Sequence, residues 1–283
     1  MKSPIINNQS SNNFKYPISK IFHWLLVIGV YLVIGAWSLV IPVYALSINL
    51  DNPSIKLTIK PGESKTGEIT IRNMSGSPVK IKTYTEDWIY APDGSKTFMK
   101  PGSSVFSCSN WIVLDRDTFE LGPREEKKVT YAVSAPKNIS GSHVSVIFFE
   151  SLVEQSSGIA VSGRIGSIVY LDTEGDTKRN GDLGDISVIT SEEGSPINIK
   201  VPFVNKGNSY IQAKAKATLS SENKVIEEIA MRDINTLPGD TGSGNASFSP
   251  QQQGKYKVKF DISYNGKDLS KDTDFNVKKI SSK

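Results

Sequence analysis

The chain has 283 residues, 38% of them hydrophobic, with 33 basic and 29 acidic side chains, enough to bury the cores of two ordinary domains. Its first 45 residues carry Lys2, Lys15 and Lys20 and no acid, so the rest is close to electroneutral, which argues against a polyanion-binding protein. The single cysteine, Cys108, excludes an intramolecular disulfide and a cysteine zinc cluster, and it reads as a small buried side chain.

In chain order, residues 1–20 are polar and rich in Asn and Ser, the composition of an unfolded flank. Ile21 to Ile41 then runs without a charge, with lysines only on its N-terminal side. Val43 and Ala45 occupy positions −3 and −1 of a signal-peptidase site. The run is also long enough to span a bilayer. Residues 1–45 are therefore read as a signal peptide cleaved after Ala45 or as an N-terminal membrane anchor helix, with the cleavage pattern favouring the first. Both readings export residues 46–283 to the periplasm or cell surface, and the second tethers them to the inner membrane through residues 21–41. No second apolar run marks a C-terminal anchor.

After the leader the period changes to two. Ile55, Leu57 and Ile59 alternate before Pro61-Gly62; Glu68 to Asn73 follows, closed by Ser75-Gly76-Ser77-Pro78; Val79 to Tyr84 alternates again and leads to Trp88. Short strands separated by turn residues at this spacing predict an all-β sandwich. Residues 91–110, rich in Gly, Ser and Pro, are expected to form an extended loop with at most a short hairpin. Trp111–Leu114, Lys128–Val133 and the strongly apolar His143–Phe149 are further strands, the last suited to a central position. From Ile159 to Leu171 the odd positions Ile159, Val161, Ile165, Val169 and Leu171 form an apolar row interrupted by Gly163 and Ser167, while the even ones are mixed. Such a row is either a closing core strand or an edge able to pair with another chain. Residues 172–185, charged and Gly-rich, read as a linker, and the Asp172, Glu174, Asp176 spacing lacks the Gly and Glu of a calcium loop. A second alternating block, 186–283, contains Ile197–Val204, Ala213–Leu219, Gly254–Tyr264 with an Asn265-Gly266 hairpin turn, and Asp274–Val277. The prediction is thus two immunoglobulin-like β-sandwiches, 46–171 and 186–283.

The segment Trp111–Glu150, with Phe119-x-Leu121 before Gly122-Pro123, a charged strand, and an apolar strand ending at Glu150, resembles the first domain of PapD-like periplasmic pilus chaperones. Pro61-Gly62-Glu63 and Ile69 to Asn73 resemble that family's opening strands. The second block resembles the immunoglobulin-like modules of exported bacterial proteins. The resemblance implies a pilus or fimbrial assembly chaperone that offers the row Ile159, Val161, Ile165, Val169, Leu171 to exported client subunits. The family's carboxylate-gripping cations have only Lys56 and Arg164 as weak counterparts here. The missing grip favours an alternative, a cell-envelope or surface scaffold that binds protein or glycan through loops such as 91–110.

Chemistry is sparse. His143 beside an apolar strand has no recognisable catalytic partners, no serine sits in a G-x-S-x-G elbow, and Asp115 and Asp117 flank Arg116 in what reads as a local salt bridge. Trp88 and Trp111 read as core plugs ahead of a carbohydrate surface. A non-enzymatic binding protein without cofactor or metal is expected, with no nucleic-acid partner and membrane contact only through the leader.

Overall fold

The structure, a computed structural model, describes residues 48–91, 93–152, 162–189, 196–250 and 252–277. The expected leader, and Ile159 and Val161 of the apolar row, lie outside the described residues. Among the described residues no helix is long and apolar enough to cross a membrane.

Among the described residues, the first sandwich has ten strands. β1 (Ile48–Leu50) lies antiparallel to β3 (Ser64–Asn73), which pairs with β8 (Glu126–Ser134), itself bordered by β6 (Ile112–Leu114). The opposing sheet begins with β2 (Ser54–Ile59) and continues through β10 (Arg164–Thr173), β9 (Ser142–Leu152), β4 (Val79–Tyr90) and β5 (Lys96–Met99), with β7 (Thr118–Leu121) also on β4. The first strand thus changes sheets at Asp51–Pro53, where the Asp51 carboxylate accepts the Thr70 N–H at 2.8 Å. Alternation supplies the core: Ile69, Ile71, Val129 and Val133 from one sheet meet Ile59, Ile81, Ile147, Phe149, Val169 and Leu171 from the other. Each such aliphatic side chain, fully buried, contributes about 1.5–3 kcal/mol gross. Asn73 closes β3 from inside, donating to the carbonyls of Ser77, Leu121 and Gly122 and accepting from the Ser75 N–H.

The second sandwich sets β11 (Gly181–Leu183) and β12 (Ser187–Ile189) on one side of β13 (Ile197–Asn205) and β17 (Thr241–Phe248) on the other. Facing them is a sheet ordered β15 (Lys224–Ala230), β14 (Ile211–Ser221), β18 (Gly254–Tyr264), β19 (Lys267–Val277), with β16 (Ile234–Thr236) paired to β14. Val201, Phe203, Ala217, Leu219, Val258 and Phe260 fill its interior. The stretch read as a linker over 172–185 is shorter than expected. β10 runs to Thr173 and β11 already belongs to the second sandwich, because Gly181 lets the rings of Phe203 and Tyr264 close over it and Leu183 packs on the core. The loop at 91–110 carries a short hairpin strand, β5, paired with β4.

The remaining connection is welded to both sandwiches. Ser142 donates its N–H to the Asn208 carbonyl at 2.9 Å, Tyr210 donates its N–H to Ser142 Oγ at 3.0 Å, and Arg179 bridges the Asp172 carboxylate and the Tyr210 carbonyl. Gly141, at φ +72°, packs so closely on the Asn208 carbonyl that a side chain there would collide with it.

Candidate functional site

The large sheet of the first sandwich is buried on both faces along its centre. In β9 the odd residues Ile147 and Phe149 enter the sandwich core, whereas the even residues Val144, Val146 and Phe148 belong to a second cluster on the outer face. β4 contributes Tyr84, Trp88 and Tyr90 to that face, β5 Phe98, and β10 Ile168 and Tyr170; Tyr210 and Leu237 join from the second sandwich. Trp88 is fully buried and donates its indole N–H to the Ser145 carbonyl at 3.0 Å, packing edge-on against Tyr90 and Tyr170. Tyr170 lies 4.4 Å from Tyr210 between ring centroids, which carries the aromatic layer across the junction of the sandwiches. Trp88 is therefore a plug, as expected, but of the outer layer.

Tyr84, Tyr90, Phe98, Phe106, Ile168 and Tyr170 remain only half-buried. Cations lie over these rings: Lys96 Nζ is 5.1 Å from the Trp88 centroid and 5.3 Å from that of Tyr90, and the Arg164 guanidinium is 4.1 Å from that of Phe148. Burial lowers the Lys96 pKa from its ordinary value and pushes the phenols of Tyr90 and Tyr210 up, so both stay protonated. The loop beside this face is pinned from below. Asp87, without exposed surface, accepts hydrogen bonds from the Ser104 N–H at 2.8 Å and the hydroxyls of Ser107 and Ser109 at 2.6 and 2.5 Å. Val105, 87% exposed, sits at the tip of that loop. Cys108 is buried beneath it, and burial raises its thiol pKa.

The edge of β10 is half open. From Ile168 to Asp172 the strand is flanked by β9 on one side and by parallel β2 on the other. From Arg164 to Gly166 it pairs, among the described residues, with β9 alone. The apolar row divides accordingly. Val169 and Leu171, 1% and 0% exposed, are sealed in the sandwich core between two neighbouring strands, so they offer nothing to another chain. Ile165, on the open stretch, is half-buried against the margin of that core.

Lys56 and Arg164 are not brought together. Lys56 stands opposite Tyr170, six residues along β10 from Arg164, or roughly 20 Å at the usual strand rise. Lys56 reaches Gln212 Oε1 at 3.5 Å, while Arg164 pairs with Glu86 at 3.0 Å. No two-cation carboxylate grip forms. His143 packs tilted against Trp111, with ring centroids 4.5 Å apart. Asp115 bonds the Arg116 guanidinium at 2.7 Å and the Thr130 N–H at 3.1 Å. Among the described residues no group of three or more His, Cys, Asp or Glu side chains could hold a metal ion.

The aromatic face is the feature that the sequence reading missed. Its signal was the run Val144 to Phe149, apolar in both phases but for Ser145, which demands cover on two faces. The aromatics at Tyr84, Trp88 and Tyr90, all in one phase of β4, pointed the same way.

No protein-family model matches the sequence, and no curated protein matches it. Among solved structures, the chain is similar to the class 5 fimbriae chaperone CfaA, at 14% identity and a TM-score of 0.45, over 83% of this chain and 100% of that one. It is also similar to the CupB2 chaperone of Pseudomonas aeruginosa, at 10% identity and a TM-score of 0.42, over 79% and 98% of the two chains. A third is the E. coli chaperone DraB, at 13% identity and a TM-score of 0.41, over 82% and 98%. The likeness is one of fold.

Proposed function

We propose that this is an exported, non-enzymatic binding protein that receives an extended segment of another exported protein, of the pilus or fibre-subunit type, on the open end of β10. One observation carries the reading: among the described residues, no strand pairs with Arg164 to Gly166 on the side away from β9, where β2 has not yet begun, beside half-exposed rings on the outer face. An unpaired edge presents backbone donors and acceptors that a visiting strand can take up, and neighbouring side-chain sites select which strand fits. Ile165 is the described member of the expected row that stays available, and in the sequence Ile159 and Val161 continue its phase upstream. Val169 and Leu171 form no part of the proposal, nor does a carboxylate grip by Lys56 and Arg164.

The test is hydrogen exchange on the full chain with and without a nine-residue peptide of alternating Val and Thr. Binding is expected to slow exchange of the 164–166 amides and to be abolished by Ile165→Asp. Binding without protection there, or unchanged binding by a folded Ile165→Asp variant, overturns the reading. A second reading, an envelope scaffold that contacts protein or glycan through the loop at 91–110, is supported by Val105, which stands exposed on a segment hydrogen-bonded to buried Asp87. Under that reading Val105→Ser, not Ile165→Asp, removes binding.

A further inference from the structure

The open end of β10, which among the described residues pairs with β9 alone, is made of residues that hold a strand poorly. It reads Gly163-Arg164-Ile165-Gly166, and a glycine in a strand gives up more backbone freedom than any other residue and packs no side chain. The Ile168 N–H donates to the Pro53 carbonyl at 3.0 Å, towards β2, and the Ser151 N–H of β9 donates to the Gly163 carbonyl at 3.0 Å. Backbone direction alternates along a strand. The N–H and C=O groups of Ile165 and Ser167 therefore turn to β9, and those of Arg164 and Gly166 turn to the open side. The groups that a visiting strand takes up belong to one arginine and one glycine.

The Arg164 side chain turns the other way, back across β9. Its guanidinium lies 4.1 Å from the ring centroid of Phe148 on β9 and 5.4 Å from that of Phe98 on β5. One of its terminal nitrogens donates to Glu86 Oε1 at 3.0 Å and to the Tyr84 hydroxyl at 3.2 Å, both on β4. A planar guanidinium can stack on a ring and bond at its rim at once. β10 and β4 are not neighbours, since β9 lies between them, so this one side chain ties the end of β10 to strands it does not pair with. Gly166 takes part through its missing side chain. The edges of Val146 and Phe148 lie 2.7 and 2.9 Å from where its β-carbon would be. Phe148 thus covers the glycine, and Arg164 covers Phe148.

We propose that Arg164 is a positioning residue for edge addition: folded back over Phe148 to Glu86 and Tyr84, it fastens the open end of β10 in extended form before any segment arrives. Its own backbone groups and those of Gly166 stay free to pair, and its side chain makes no contact with the visitor. This inference rests on the edge-addition reading and adds that the edge is made ready by a side chain turned away from it. A strand already extended binds at a lower ordering cost.

Hydrogen exchange and peptide binding on the full chain test it with two variants. Arg164→Met keeps an unbranched stem over Phe148, and Glu86→Gln leaves β10 untouched. In Arg164→Met the amides of Ile165 and Ser167 are expected to exchange about tenfold faster, as a locally opened unit does, while those of Val169 and Leu171 and the urea midpoint scarcely change. The nine-residue Val/Thr peptide is expected to bind about tenfold more weakly through slower association, the loss that follows if the extended end is then populated about a tenth of the time. Glu86→Gln is expected to act in the same direction, and the double variant to be no worse than Arg164→Met alone, because both substitutions break one tie. Unchanged exchange at Ile165 and Ser167, or faster exchange with undiminished peptide affinity, overturns the inference and leaves edge addition standing. A lowered urea midpoint with exchange raised evenly across β9 and β10 also overturns it, since Arg164 then only holds the sheet together. If the unmodified chain binds no peptide, edge addition falls and the inference falls with it.

Discussion

Asp87 and His143 are the two ionisable side chains whose settings matter most within the first sandwich. The Asp87 carboxyl group is satisfied by three donors from the loop at 104–109, so that one buried side chain organises the segment that carries Phe106 into the aromatic layer. His143 is the opposite case: it is half-buried against Trp111, and desolvation lowers its pKa, outweighing the backbone groups of Ser107 and Ser140 that favour its charged form. The unfolded chain therefore takes up a proton near pH 6.5 that the folded chain still refuses. Stability from this residue is complete above that pH and is lost as pH falls from about 6.5 through the lower folded pKa. Urea midpoints measured between pH 7.5 and 5 are expected to decline in that window, above the range where carboxylates such as Asp115 and Asp182, held low by Arg116 and Lys206, begin to titrate. In a His143→Phe variant the decline is expected to flatten.

At the scale of the element, β10 is two strands in one. Its C-terminal half is a core strand with neighbours on both sides, and its N-terminal half is an edge. Truncating Leu171 to Ala removes a fully buried side chain and is expected to cost about 2–5 kcal/mol in urea unfolding. The same truncation at half-buried Ile165 is expected to cost less than half as much. Comparable losses at the two positions would show that the open half is as enclosed as the other. The described part of the apolar row, Ile165 to Leu171, lies in a strand, but the period alone could not reveal that β2 pairs with only its second half or that Ile168 and Tyr170 join a second cluster on the outer face. The start of β2 depends on the sheet change at Asp51–Pro53, more than a hundred residues away in the chain.

Across the whole molecule, the two sandwiches share a backbone-to-backbone junction in place of a loose linker. Both use a buried asparagine where a strand turns: Asn73 at the end of β3, and Asn205 at the end of β13, which donates to the Ser209 and Thr236 carbonyls. The repetition is one of structural role, since the two blocks show no clear sequence repeat. The junction depends on Gly141. Its positive φ and its contact with the Asn208 carbonyl both exclude a branched side chain. Gly141→Val is expected to destabilise the protein by at least about 1–3 kcal/mol, and the Ser142 and Tyr210 amides are expected to lose exchange protection before those of β3 and β8. Protection that falls uniformly would mean that the junction is not a separate point of weakness.

The order of residues along the chain was enough to determine that this protein is built of strands, that they form two sandwiches, and that residues 21–41 differ in kind from everything after them. Those features are local: a period of two, turn residues at intervals and an uncharged run can each be read in a window of a few residues. Only the tertiary structure decided which phase of each strand faces which neighbour, that Val169 and Leu171 are sealed, and that rings from β4, β5, β9 and β10 converge beside an unpaired edge. Alternation announces that a strand has two faces but does not say what lies against either one. Cover and register come from partners distant in sequence, and they are fixed only when the cores on both sides are packed at once.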